Sequence, residues 1–124
     1  MTDRPVLQPS ASHPITVEPT GRRVTVRVGG DLVADTDDAL TLKEAAYPPV
    51  QYIPQRDVVA GRLAPSDTET YCPYKGQAGY YDVVTGAGER VSDAVWTYPD
   101  PYPAVAPIAG HVAFYPDKAD VTIA

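Results

Sequence analysis

Proline occupies fourteen of the 124 positions and glycine nine, and together they leave no stretch in which apolar residues keep the 3.6-residue period of an amphipathic helix. Proline has no backbone N–H to donate and a fixed φ, so it breaks helices and confines strands to sheet edges. Between the prolines, apolar residues recur every second position. Arg23 to Val28 places Val24, Val26 and Val28 on one face, and Gly29-Gly30-Asp31 offers positive-φ turn chemistry before Leu32-Val33-Ala34, which makes a hairpin. Leu40 to Lys43 alternates again, and Tyr47 to Pro54 is an extended segment held at an edge or in irregular structure by its prolines. Arg56 to Leu63 has no clear period. Gly79 to Thr85 and Arg90 to Tyr98 pair across Gly86-Ala87-Gly88; His111 to Tyr115 and Asp120 to Ile123 are further strands on either side of Pro116-Asp117-Lys118. Pro101 to Ala109 holds one short helix, its length limited by Pro107. The class that follows is mainly β: two antiparallel sheets in a sandwich-like arrangement with at most one or two short helices. The expected core is Val24, Val26, Val28, Leu40, Leu42, Val83, Val95, Val112, Phe114 and Val121.

The length suits one domain, and 44% hydrophobic residues are enough for one core. Residues 1–12, rich in Pro and Ser, read as a flexible N-terminal arm, and 13–124 as a single β domain. Ten Lys and Arg against sixteen Asp and Glu give a net charge of −6 with no basic run, which argues against nucleic acid as a partner. No apolar run has the length of a membrane helix, so no membrane partner is expected. One cysteine forms no internal disulfide, and the N-terminus lacks a secretory signal pattern, so the expected location is the cytoplasm. With a single Cys and only His13 and His111 as imidazoles, no spaced metal-ligand set is present. The sequence therefore calls for neither metal nor cofactor, and its oligomeric state is open.

The chemistry concentrates in Thr70 to Tyr81, which gathers the single cysteine, Cys72, with Lys75, Gly76, Gly79 and several tyrosines. An ammonium near a thiol favours the thiolate, so Cys72 and Lys75 form a candidate catalytic pair; a lone cysteine is otherwise a small core residue. Lys75 beside Gly76 either points into a cleft or is a solvated surface lysine whose loss costs the fold little. Tyr52, Tyr74, Tyr80, Trp96, Tyr98 and Tyr102 offer flat apolar faces with polar tips, suited to stacking a planar ligand, and alternation puts Trp96 and Tyr98 on one face. Arg56 joins them as a ligand-orienting candidate, or makes an exposed ion pair with Asp57. Gly86-Ala87-Gly88 imitates the start of a dinucleotide fingerprint but lacks its last glycine and reads as a hairpin turn.

Pro65-Ser66-Asp67-Thr68, Cys72-Pro73-Tyr74-Lys75-Gly76, Trp96-Thr97-Tyr98-Pro99-Asp100-Pro101-Tyr102-Pro103 and Gly110-His111-Val112-Ala113-Phe114-Tyr115 together closely resemble the bacterial and fungal family called DUF427, over about residues 13–123. The resemblance implies a small β-rich fold likened to the β-tent of the cereblon ligand-binding domain and methionine sulfoxide reductase B. Zinc-binding β-tents carry paired cysteines; here Lys75 stands where a second cysteine would complete Cys-x-x-Cys. The nucleotidyltransferase-like label attached to the family finds neither a phosphate-cradling loop nor a paired-carboxylate motif in this chain.

Three functions are compatible with these residues. The favoured one is a small-molecule binding pocket lined by Lys75 and aromatic side chains. The alternatives are a thiol-dependent enzyme with Cys72 as nucleophile activated by Lys75, and a structural or interaction protein with no small-molecule site. Whether the protein turns over a substrate is left open by the sequence.

Overall fold

The computed structural model describes residues 4–124. The strands are β1 (Ile15–Pro19), β2 (Val24–Val28), β3 (Asp31–Thr36), β4 (Leu40–Glu44), β5 (Val50–Pro54), β6 (Leu63–Cys72), β7 (Gly76–Val84), β8 (Arg90–Thr97), β9 (His111–Phe114) and β10 (Asp120–Ile123). They form a seven-stranded sheet in the order β1-β4-β5-β9-β8-β7-β6 and a three-stranded sheet in the order β10-β2-β3. Every pairing between these strands is antiparallel. The mainly-β, two-sheet expectation holds, with two 3₁₀ segments among the described residues, Gln55–Asp57 and Pro103–Ile108.

The β2–β3 turn uses Gly29 and Gly30, both at positive φ, as the sequence predicts. Gly86 to Gly88 likewise turns β7 into β8, which pair at Val84 and Arg90. The short helix expected within Pro101 to Ala109 is the 3₁₀ segment; it does not extend as an α-helix, because Pro107 denies the donor a helix needs and Val105 breaks the run with φ −127°. The ambiguous Arg56 to Leu63 stretch ends a 3₁₀ turn and leads into the long edge strand β6. An edge position tolerates Pro65, and the pairing with β7 slips between Pro65 and Glu69. There Ser66 and Thr68 turn their hydroxyls to the carboxylate of Asp93, at 2.5 and 2.7 Å. β1 is a strand the periodicity does not disclose; its pairing with β4 defines it.

The arm expected at 1–12 lies partly outside the described residues, at 1–3. From residue 4 onward the chain runs against the β6–β7 hairpin: the Leu7 N–H donates to the Pro73 carbonyl at 3.0 Å, and the Tyr71 hydroxyl donates to the Pro5 carbonyl at 2.8 Å.

Strand alternation sends the two faces of the large sheet to different cores. Ile53, Val83, Val95, Val112 and Phe114 meet Val24, Val26, Val28 and Val33 of the small sheet. The opposite face carries Tyr52, Ala78, Tyr98 and Ala113, covered by Val105 and Ile108 of the 3₁₀ segment. Leu40 and Leu42, expected in the inter-sheet core, belong to this second face. The register decides it: Leu40 pairs with Tyr52 and Leu42 with Val50, so they share Tyr52's side.

Candidate functional site

The second face opens into a pocket of about 150 Å³ walled by Leu42, Tyr52, Tyr80, Trp96, Tyr98 and Tyr115. Pairing explains the convergence. Tyr80 lies directly across from Trp96, and Trp96 across from Ala113, whose small side chain leaves space between the larger ones. Trp96 donates its indole N–H to the Tyr52 oxygen at 3.1 Å, with the rings edge to face at 6.3 Å. Tyr115, just past β9, packs on Trp96 at 4.5 Å and brings its hydroxyl 3.3 Å from that of Tyr80.

The floor of the pocket comes from the β6–β7 turn. The Lys75 N–H bonds the Cys72 carbonyl at 3.2 Å, closing the turn, and the Tyr102 N–H bonds the Lys75 carbonyl at 3.0 Å. Gly76 follows at φ 113°, where a Cβ would sit 3.3 Å from the Asp100 carbonyl oxygen, so both conformation and space call for glycine. This turn carries the Lys75 side chain back over the sheet. Its ammonium donates to Glu44 and lies 3.7 Å from the Cys72 sulfur. The other Glu44 oxygen is 2.8 Å from His13 Nε2, and the His13 ring stacks on Tyr74 at 4.1 Å, nearly parallel.

Lys75 is 9% exposed, so the solvated-lysine alternative does not describe it. A buried ammonium needs a counter-charge, and Glu44 provides it. Burial works against the charged form of Glu44, yet hydrogen bonds from Lys75 and His13, with the attraction of their charges, hold its carboxyl below the usual range. Burial pushes the Tyr52 and Tyr98 phenols well up, and that of Tyr115 up to about 12, so all three stay protonated near neutral pH. The Tyr52 oxygen accepts from Trp96, leaving its own O–H to donate.

Of the residues singled out in the sequence, Tyr52, Lys75, Tyr80, Trp96 and Tyr98 meet at this pocket. Cys72 sits half-buried beneath it, against Lys75. Tyr74 and Tyr102 lie outside the wall, Tyr74 covering His13 and Tyr102 with its hydroxyl 2.6 Å from that of Tyr71. Arg56 is elsewhere: it is exposed and donates to Asp38 at 2.8 Å, while Asp57 accepts from Thr36, so the two adjacent charges do not pair with each other. Sequence reasoning missed Glu44, His13 and Tyr115. Glu44 had a readable signal, since Leu40, Leu42 and Glu44 alternate onto one face of β4. His13 had none, being 31 residues from its partner.

The profile of a domain of unknown function, DUF427, matches residues 16–124. The chain belongs to the DUF427 family. No curated protein matches it. In this DUF427 domain the matched region contains the pocket walls, Lys75 and Glu44, whereas His13 precedes it. Among the described residues no group of three or more His, Cys, Asp or Glu side chains is placed to hold a metal ion.

Proposed function

We propose that this DUF427 domain is a binding module for a small, uncharged, planar molecule about one ring in size, with a hydrogen-bond acceptor and a donor on one edge. The observation that carries this reading is the buried Lys75–Glu44 pair at the floor of an aromatic pocket. The pair is neutral overall, so it does not call for an ionic ligand, yet it offers an N–H donor beside a carboxylate acceptor. Tyr52 adds an O–H donor, and Trp96, Tyr80 and Tyr115 supply flat faces. A cavity of about 150 Å³ accommodates a benzene-sized group.

Trp96 is the chain's single tryptophan and lines the pocket, so its fluorescence reports occupancy. Benzamide should shift Trp96 emission saturably, and cyclohexanecarboxamide, which has the same polar edge without a flat ring, should bind more weakly. Tyr52→Phe, which removes the O–H donor, should weaken benzamide at least about two- to tenfold, the worth of one ordinary hydrogen bond. If neither benzamide nor a library of planar amides and heterocycles moves Trp96 emission, the reading fails.

The thiol-enzyme alternative has one observation in its favour, the 3.7 Å approach of the Lys75 ammonium to the Cys72 sulfur. Against it, the same ammonium donates to Glu44, whose negative charge offsets the help it gives a thiolate.

A further inference from the structure

Beside the inner pocket lies a groove of about 700 Å³ that reaches across to the small sheet, bordered by Pro48, Pro49, Phe114, Pro116 and, from β10, Val121 and Ile123. The two spaces share walls: Glu44, Tyr47, Pro48, Val50 and Trp96 line both. The pocket and the groove therefore adjoin along these side chains. The groove is far larger than one ring requires, and its lining is mainly hydrocarbon. Tyr47 and Ile123 on its border are 66% and 45% exposed, unusually open for large apolar side chains.

From this we infer that the ligand is amphiphilic: its planar polar head occupies the inner pocket and an unbranched hydrocarbon chain of several carbons leaves past Trp96 and Val50 to lie in the groove. The inference rests on the pocket reading above and extends it to a substrate class. A hydrocarbon chain fits better than a peptide because Pro48, Pro49 and Pro116 have no backbone N–H to give, and an extended peptide relies on such main-chain bonds. It also fits better than an anionic surface, since the protein carries a net charge of −6 and Glu44 stands at the junction of the two spaces.

The test is a homologous series, benzamide and its 4-n-alkyl derivatives from methyl to hexyl, titrated against intrinsic Trp96 fluorescence. The dissociation constant should fall about three- to fourfold per methylene while the chain is entering the groove. Ile123→Asp should flatten that gain and leave benzamide binding unchanged; Ile123→Thr, which keeps a β-branched residue in β10, should reduce it partly. Benzamide binding with no dependence on chain length overturns the amphiphile and leaves the pocket reading intact. A gain that persists in Ile123→Asp puts the chain elsewhere and also overturns it. If the wild type sediments as a dimer that Ile123→Asp splits, the groove belongs to a second copy of the chain and the inference is wrong. Absence of any response across the series, benzamide included, removes the pocket reading and this inference with it.

Discussion

Replacing Lys75 by methionine tests the electrostatic argument directly, because it keeps most of the unbranched apolar stem and removes the charged ammonium. The side chains of Lys75 and Glu44 are 11% and 14% exposed, and each is the other's closest opposite charge. Removing one member of a buried ion pair costs about 3–5 kcal/mol, mostly because the remaining charge stays desolvated without compensation. Here His13 still bonds the second Glu44 oxygen, which moves the expectation to about 2–3 kcal/mol. For a chain of 124 residues each kcal/mol corresponds to roughly 4 °C, so the melting temperature should drop by about 8–12 °C. Glu44→Leu, which orphans the Lys75 ammonium, should cost a similar amount, about 2–3 kcal/mol, whereas the double variant Lys75→Met/Glu44→Leu leaves no orphaned charge and should come within about 1 kcal/mol of wild type, giving a coupling energy of about 3–5 kcal/mol. Urea denaturation of the wild type, both single variants and the double variant measures all four corners. Additive costs, or a Lys75→Met penalty under about 0.5 kcal/mol as for a surface lysine, would refute the buried-pair reasoning.

Two further outcomes follow from the same geometry. Glu44, Asp82 and Asp93 have folded-state carboxyls held below their ordinary range: Glu44 by Lys75 and His13 in spite of burial, Asp82 by the Asp93 N–H and Arg90, and Asp93 by Ser66 and Thr68. The unfolded chain therefore takes up protons first, and the stability present above the unfolded values of about 3.9 for Asp and about 4.3 for Glu is lost as pH falls through the lower folded values. The urea midpoint should decline steeply on acidification from pH 6 to 3 and less so in Glu44→Gln; a midpoint that rises over that range contradicts the assignment. Cys72 should react with iodoacetamide more slowly than a free thiol, and Cys72→Ser should keep benzamide binding, since the thiol is half-buried and its neighbouring ammonium is paired with Glu44. Fast labelling that slows in Lys75→Met would favour the thiol enzyme instead.

The alternation of valines in β2, the Gly29-Gly30 turn and the wealth of proline made the fold class readable, because each is a preference of a few adjacent residues. The turn from Cys72 to Gly76 was readable in the same way, as was the shared face of Trp96 and Tyr98. Tertiary structure decided what those faces meet. Placing β9 between β5 and β8 brings Tyr52 to Trp96 across 44 residues of sequence. Pairing β4 with β5 turns Leu40, Leu42 and Glu44 away from the small sheet, and Glu44 then finds both Lys75 and His13 at separations of 31 residues. Arg56, a weaker ligand-orienting candidate in the sequence, follows β5 into a turn on another surface and pairs with Asp38. Local pattern carries the period of a strand and the chemistry of a turn, whereas the neutralisation of a buried charge depends on which distant strand arrives beside it.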